Sequence, residues 1–555
     1  MKTSRRIKII VMKHFLKKKF ILPILATLVL LSASAFKSDF FEIAKQIEIF
    51  TTMFKEVNMN YVDETNPADL MDTAIKSMLK ELDPYTVFYN EQDVEASRID
   101  NTGDYTGIGA SVRTLKDKLV IIEPYKDYPA DQAGLKAGDE IIKVEDITVA
   151  SFKENAGDLL RGAPGSKVNV TYLRQGEART ATITRQEVEV GAVPFYDMVN
   201  DNTGYIALSK FTRTASKETE NALKELKADG AKSIILDLRG NLGGLLLEAV
   251  NIVNLFVDKG QLVVTTKSKV EKYNKTYYTQ NQPIDTEIPL VVLIDGRSAS
   301  ASEIVSGSLQ DLDRAVIVGV RSFGKGLVQR PKPLTYGTQI KVTISRYYTP
   351  SGRCIQALDY WNRDGQGNAV RVKQENFNEF KTKNGRSVFD GGGIQPDIII
   401  EDAKSSTITK AITNGDYIFN FATDYYYKNT VDDLMSFNLT DADFKNFKAY
   451  LEVNNFDFKT ETEAQLTKLM ETAKSENIDK TLQNDYFKFV STLKSYKNKA
   501  IDENKSQLTS LLENEIIKRY FYREGLHEYY LAHNKEVKKA VEVLSDANTY
   551  RSYLN

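Results

Sequence analysis

Three serines alternate in DGRSASASEIVSGSLQD, the stretch from Asp295 to Asp311, just ahead of a helix-like run. Ser298, Ser300 and Ser302 are useful nucleophiles only if a base takes the hydroxyl proton. The chain holds three histidines, His14, His527 and His533, and none is near them. A Ser-His-Asp triad is therefore hard to build, and lysine is the available substitute. A lysine serves when burial or a neighbouring cation favours its neutral amine. RSFGKGLVQ sets Lys325 between two glycines in a weakly charged, partly apolar segment. Taken alone, the same segment also suits a solvated turn lysine. It does not match the phosphate loop GxxxxGK[ST].

Ser300 followed by Glu303 fits the capping box S-x-x-E ahead of an apolar-periodic run. A serine at a helix start after a buried strand can cap the helix and still be presented for attack. The next N–H, on Ala301, then points at a developing oxyanion.

The elements that must hold these residues alternate from about Gly204. GYIALSKF reads as a strand, TASKETENALKELKADG as a helix, KSIILDLR as a buried strand and GNLGG as a loop. LLLEAVNIVNLFV is a helix, PLVVLIDG a second buried strand, SASEIVSGSLQDL a helix and AVIVGV a strand. This is an α/β layer with its loops at the strand ends, where sites in such sheets lie. Residues 36–101 are helical in pattern, and residues 102–186 switch to short β-branched runs between Gly, Pro and Asp turns. Past Glu401 the chain is polar, helical and rich in Lys, Asn and Tyr.

At 555 residues, three or four domains are expected. The first 35 residues hold eight Lys or Arg and no acid, then an apolar run, Phe20–Leu31, and a small-residue exit at Ala33-Ser34-Ala35. That order reads as a secretory signal over residues 1–35, hence an exported, periplasmic protein. The run is short for a membrane span, and an uncleaved inner-membrane anchor is the competing reading. The remainder carries 66 basic against 75 acidic residues, with no basic stripe suited to nucleic acid. Cys354 is the only cysteine, so no internal disulfide or cysteine metal site can form. His527 and His533, spaced i, i+6, do not share a helix face, and no metal is expected.

GIGA at Gly107–Ala110 and DQAGLKAGDEIIKVED at Asp131–Asp146 resemble a PDZ domain, over roughly Thr102 to Gln186. The resemblance implies that backbone N–H groups of Gly107, Ile108, Gly109 and Ala110 receive a peptide's terminal carboxylate. Glycines let such donors converge on an anion, and an adjacent strand edge can pair an extended chain.

SASASEIVSGSLQD followed by RSFGKGLVQ resembles the signature of the C-terminal processing peptidases, or tail-specific proteases. DLRGNLGG (Asp237–Gly244), YYTPSGR (Tyr347–Arg353), GIQPD (Gly393–Asp397) and LDPYT (Leu82–Thr86) extend the likeness from about Phe40 to Ile400. The resemblance implies Ser300 as nucleophile and Lys325 as general base. It implies Gln329 to orient the lysine from the same strand face. Ala301 and Gly243, or with less support Gly244, are the oxyanion donors, and Asp311 is a supporting acid.

The implied architecture is multidomain α/β and α+β. A signal (1–35) precedes an N-terminal helical region (36–101), a β-rich PDZ module (102–186), an α/β crotonase/Clp-like catalytic core (187–400) and a helical C-terminal extension (401–555). Implied substrates are proteins or peptides with free C-termini. No cofactor, nucleotide or nucleic acid is expected, and an adaptor or a homo-oligomer is left open. The PDZ module can gate the site in this family, with Arg185 a candidate participant. Two features depart from the pattern: 36 residues between Gln356 and Gly393, and the long tail. A catalytically silent PDZ scaffold is the main alternative. A crotonase-like acyl-CoA enzyme is a weaker one, since it leaves the PDZ module and Lys325 unexplained.

Overall fold

LVVLI is apolar throughout and SIILD apolar but for its ends, a composition that suits strands covered on both faces. In the structure, a computed structural model, Ser233–Asp237 and Leu290–Ile294 are fully buried neighbours at the centre of a six-stranded sheet. The described residues are 40–115, 117–152, 155–400 and 406–555. The signal read at residues 1–35 lies outside them.

The chain divides into two compact units, Met1–Phe88 and Tyr89–Asn555. In the first, residues 40–60 are helical and a second helix spans Pro67–Lys80, its first N–H groups capped by Asn66 Oδ1. The chain turns at LDPYT, where Asp83 Oδ1 accepts from Tyr85 and Thr86 N–H.

In the second unit the central sheet runs Phe195–Asn200, Thr203–Ala207, Ser233–Asp237, Leu290–Ile294, Val316–Gly319, Ile398–Ile399. Its first pair is antiparallel and the rest are parallel. Side chains alternate between faces. Ile234, Leu236, Val292 and Ile317 meet the helices Ala215–Ala228, Leu246–Phe256 and Ala301–Asp311. Ile235, Val291, Leu293, Val316 and Val318 meet Val537, Ala540, Val543 and Tyr550 of the tail. The tail is thus the third layer of the core. Tyr550 Oη accepts from Leu290 N–H at 3.0 Å, across 260 residues.

The PDZ module is a sheet of Ala110–Thr114, Leu119–Pro124, Glu140–Val144, Lys167–Arg174 and Glu177–Thr184, with a core of its own. Ala110–Thr114 is an edge strand, open to an added chain. A further sheet holds Leu262–Lys267, Lys275–Tyr278, Leu327–Pro333 and Gln339–Tyr348. The extra segment before Gly393 forms two short hairpins, Leu358–Arg363 with Ala369–Arg371, and Glu379–Lys381 with Ser387–Phe389.

The long helix Lys505–His533 breaks at Tyr522, whose φ is 59°. The break lets two consecutive side chains reach the PDZ module. Tyr522 Oη donates to Asp131 Oδ1 at 2.7 Å, and Arg523 grips both oxygens of Glu123. No helix among the described residues is long and apolar enough to cross a membrane.

Candidate active site

Three neighbouring parallel strands each end in one part of the site. Ser233–Asp237 leads into the glycine loop, Leu290–Ile294 into the serine turn, and Val316–Gly319 into the Lys325 loop. Loops leaving adjacent carboxyl ends of parallel strands converge by construction.

The structure separates the three serines by burial. Ser298 is fully buried, and its hydroxyl donates to Leu238 O at 2.8 Å. Ser302 is fully buried as well, and its hydroxyl donates to Asn241 O at 2.9 Å. Ser300 alone is partly exposed. It sits at the helix N-cap with φ 56°, a conformation that costs a residue with a Cβ on the order of 1–3 kcal/mol. Ser300 and Glu303 are joined in a capping box. Glu303 Oε2 accepts from Ser300 N–H at 2.8 Å, whereas Glu303 N–H goes to the Ser300 carbonyl at 2.9 Å. Tyr347 Oη, from YYTPSGR, donates to the Ser300 carbonyl at 3.2 Å.

Glu303 does more than cap. Its buried carboxylate also accepts from Ser322 Oγ (2.6 Å), Gly324 N–H (2.7 Å) and Lys325 N–H (2.9 Å). One side chain therefore fixes both the serine turn and the lysine loop. Burial pushes its pKa up, while the four donors favour the ionised form. The serine–glutamate spacing was visible in the sequence, but the three donors from the lysine loop were not.

Gly243 is brought against the serine turn. A Cβ there would come within 2.7 Å of Ala299 O and 2.9 Å of both Ala301 N and Ser300 Cβ, so only glycine fits. Its N–H, however, donates to Asn241 Oδ1 at 2.8 Å. Asn241 holds the loop in place through Leu208 O and Ala299 N–H, a role sequence reading missed. Gly244 packs its backbone on Phe211 O. Ala301 N–H is the first of the helix and has no intrahelical partner.

Gln329 departs from the expected geometry. Lys325 lies ahead of the strand Leu327–Pro333, and a bulge at Val328/Gln329 breaks the alternation between them. The Gln329 amide donates to Thr343 Oγ1 at 3.1 Å. Arg185 is also differently used: its guanidinium is spent inside the PDZ module on the Leu159, Leu160 and Lys167 carbonyls.

Asp311 lies at the far end of the helix that Ser300 caps, buried, paired with buried Arg353 at 2.7 Å and accepting from Ser351 N–H at 2.9 Å. Asp311→Ala would strand the Arg353 charge in the core. We expect a loss of about 3–5 kcal/mol in urea unfolding, large for one substitution.

In the PDZ module, Gly107, Ile108, Gly109 and Ala110 form the turn entering the edge strand. Gly109 has φ 70° and packs on Tyr128. Ile108 O and Gly109 O are tied to Ala130 and Tyr125 N–H. The 3-10 turn Ala156–Leu160 stands beside the edge strand.

Behind the glycine loop, Asp237 of the DLR motif is chelated by Arg239 and accepts from Tyr205 Oη at 2.6 Å. Burial opposes its ionised form, and the Arg239 charge outweighs burial, holding the carboxyl below its usual range. Arg239 in turn donates to Asn534 Oδ1 (2.8 Å) and Glu536 Oε2 (3.1 Å) of the tail. A 270 Å³ cavity here is lined by Asp237, Arg239, Asp295 and His527. His527 stacks on Phe195, and its buried Nδ1 has no partner. Burial pushes its pKa down to about 4. The unfolded ring protonates near 6.5 and the folded one only near 4, so stability falls as pH drops through that window. His527→Phe should remove this penalty. At pH 4.5 urea midpoints should favour the variant by about 2–3 kcal/mol more than at pH 7.

A layered α/β core with a serine turn and glycine loop at its strand ends, joined to a PDZ module, defines a serine-type peptidase. The peptidase family S41 model matches residues 202–360, the PDZ domain model residues 106–184, and the "Probable PDZ-protease, C-terminal helical domain" model residues 408–544. The carboxy-terminal-processing protease of Bartonella bacilliformis is 33% identical over 340 residues, covering 60% of this chain and 78% of that one. The carboxy-terminal processing protease CtpA of Bacillus subtilis is 33% identical over 305 residues, covering 54% and 65%. Among solved structures, a photosystem II D1 C-terminal processing protease aligns over 63% of this chain and 86% of its own, with 27% identity and a TM-score of 0.37. The chain belongs to the C-terminal processing peptidases of family S41, serine peptidases with a PDZ domain that act on protein or peptide substrates.

Proposed function

We propose that the chain is exported to the periplasm and cleaves protein substrates near their C-termini through a Ser300–Lys325 dyad. The observation that carries this reading is that Ser300 alone among the three serines is partly exposed, on a turn fixed to the Lys325 loop by Glu303. The PDZ turn Gly107–Ala110 holds the terminal carboxylate, and the substrate pairs with the edge strand Ala110–Thr114.

Ser300 Oγ attacks the scissile carbonyl while Lys325 accepts its proton, giving a tetrahedral oxyanion. Ala301 N–H receives that oxyanion, joined by Gly243 N–H once it exchanges Asn241 Oδ1 for the substrate. Lys325 then protonates the leaving amine and takes a proton from water, which hydrolyses the acyl-enzyme. Gln329, on the strand that follows Lys325, lines a groove beside the glycine loop. An adaptor or a homo-oligomer is compatible with this scheme.

The test compares an unstructured peptide with an apolar free C-terminus against its amidated form. Cleavage of the free form, at least several-fold faster and absent in Ser300→Ala, supports the proposal. Binding of the free form without cleavage would identify a scaffold for chain ends.

A further inference from the structure

A groove of 490 Å³ opens beside the glycine loop, running from Leu245 and Leu246 to Val328 and Gln329. Its floor is apolar, but its charges are uneven. Arg213, Lys275 and Arg330 line it against a single acid, Glu248. Glu248 is already used, accepting from Ser216 N–H at 2.8 Å. None of the three cations enters an ion pair among the described residues. Tyr273 also lines the groove, and Lys272 and Lys332 stack on its ring at 5.1 and 5.5 Å. Three cations thus line the groove and two more flank its Tyr273, in a chain whose net charge is only −1.

Low-dielectric walls concentrate such a field, and an acidic ligand entering it gains both attraction and orientation. The position matters: the groove starts at the residue after the Gly243-Gly244 pair, so whatever fills it flanks the reacting carbonyl. We propose that this groove selects substrates carrying Asp or Glu side chains within a few residues of an apolar scissile position. The proposal rests on Ser300 as the nucleophile and adds a substrate class to it.

The experiment uses three peptides of equal length: acidic flanks with a free end, the same with Asn and Gln flanks, and the acidic one amidated at its C-terminus. In wild type the acidic peptide should exceed its neutral twin in kcat/KM by about tenfold at low salt, since each exposed pair contributes modestly. The ratio should fall towards one in about 0.5 M salt. Arg330→Gln should reduce the ratio, and Lys275→Glu with Arg330→Glu should invert it. A ratio near one in wild type, or one indifferent to charge reversal, overturns the proposal. So does a wild-type preference that depends on the free end and not on the flanking acids. If wild type cuts none of the peptides, the dyad reading fails. Anisotropy with the Ser300→Ala protein then reads the groove by itself: tighter binding of the acidic peptide upholds it, and equal binding refutes it.

Discussion

Ser300→Ala and Lys325→Ala proteins are each expected to lose peptide cleavage by about 10⁴-fold or more while remaining folded. The size follows from the roles proposed for them: without Oγ no acyl-enzyme forms, and without a base the hydroxyl is a weak nucleophile at neutral pH. Because the two act as a unit, the double variant should be no worse than either single one. Ser298→Ala and Ser302→Ala give the contrast. Ser302→Ala removes one buried bond to a main-chain carbonyl and should cost about 1 kcal/mol; Ser298→Ala also removes the hydroxyl's bonds with Asp295 and should cost about 1–3 kcal/mol, and both should leave cleavage in place. Single-turnover cleavage and circular dichroism on all five proteins decide the matter. Cleavage surviving in Ser300→Ala would move the nucleophile elsewhere.

Glu303→Gln should be nearly as damaging for a different reason. Ser322 Oγ and Gly324 N–H point at one carboxylate oxygen, Ser300 and Lys325 N–H at the other. An amide can accept at only one of those places. At the other it sets its own N–H against two donors, leaving buried groups unpaired at about 1–3 kcal/mol each. We expect kcat to fall by about 10²–10³-fold, because a displacement near 1 Å between nucleophile and base is enough for that. Measuring kcat at a temperature where the variant is fully folded separates misplacement from unfolding. An unchanged kcat would show that the two loops hold their spacing without Glu303.

The α/β core was legible because SIILD and LVVLI leave little choice but a covered sheet, and because GNLGG and SASASE fall at strand ends. The motifs also marked where the serine turn and the glycine loop would meet. Other parts had no local signal. The bulge at Val328/Gln329 depends on pairing with Gln339–Tyr348, so strand alternation from Lys325 to Gln329 misjudged the geometry. Ser298 and Ser302 also donate to main-chain carbonyls about 60 residues away, which side-chain types do not encode. Val537, Ala540 and Val543 mark a helix with an apolar face, but nothing in their spacing says that the face seals the central sheet. Long-range fit decided each of these.

The grip of Asn534 and Glu536 on Arg239 has a consequence in time. These contacts bridge 295 residues or more, and loops of that length close late in folding. Arg239 adjoins Gly240, the first residue of the glycine loop, so that loop gains its full support only when the tail has docked. A partly folded molecule would hold Ser300 and Lys325 in the chain without a finished place to stabilise charge. The order of folding then works as a delay: peptide bonds nearby are safe until the molecule that could cut them is complete.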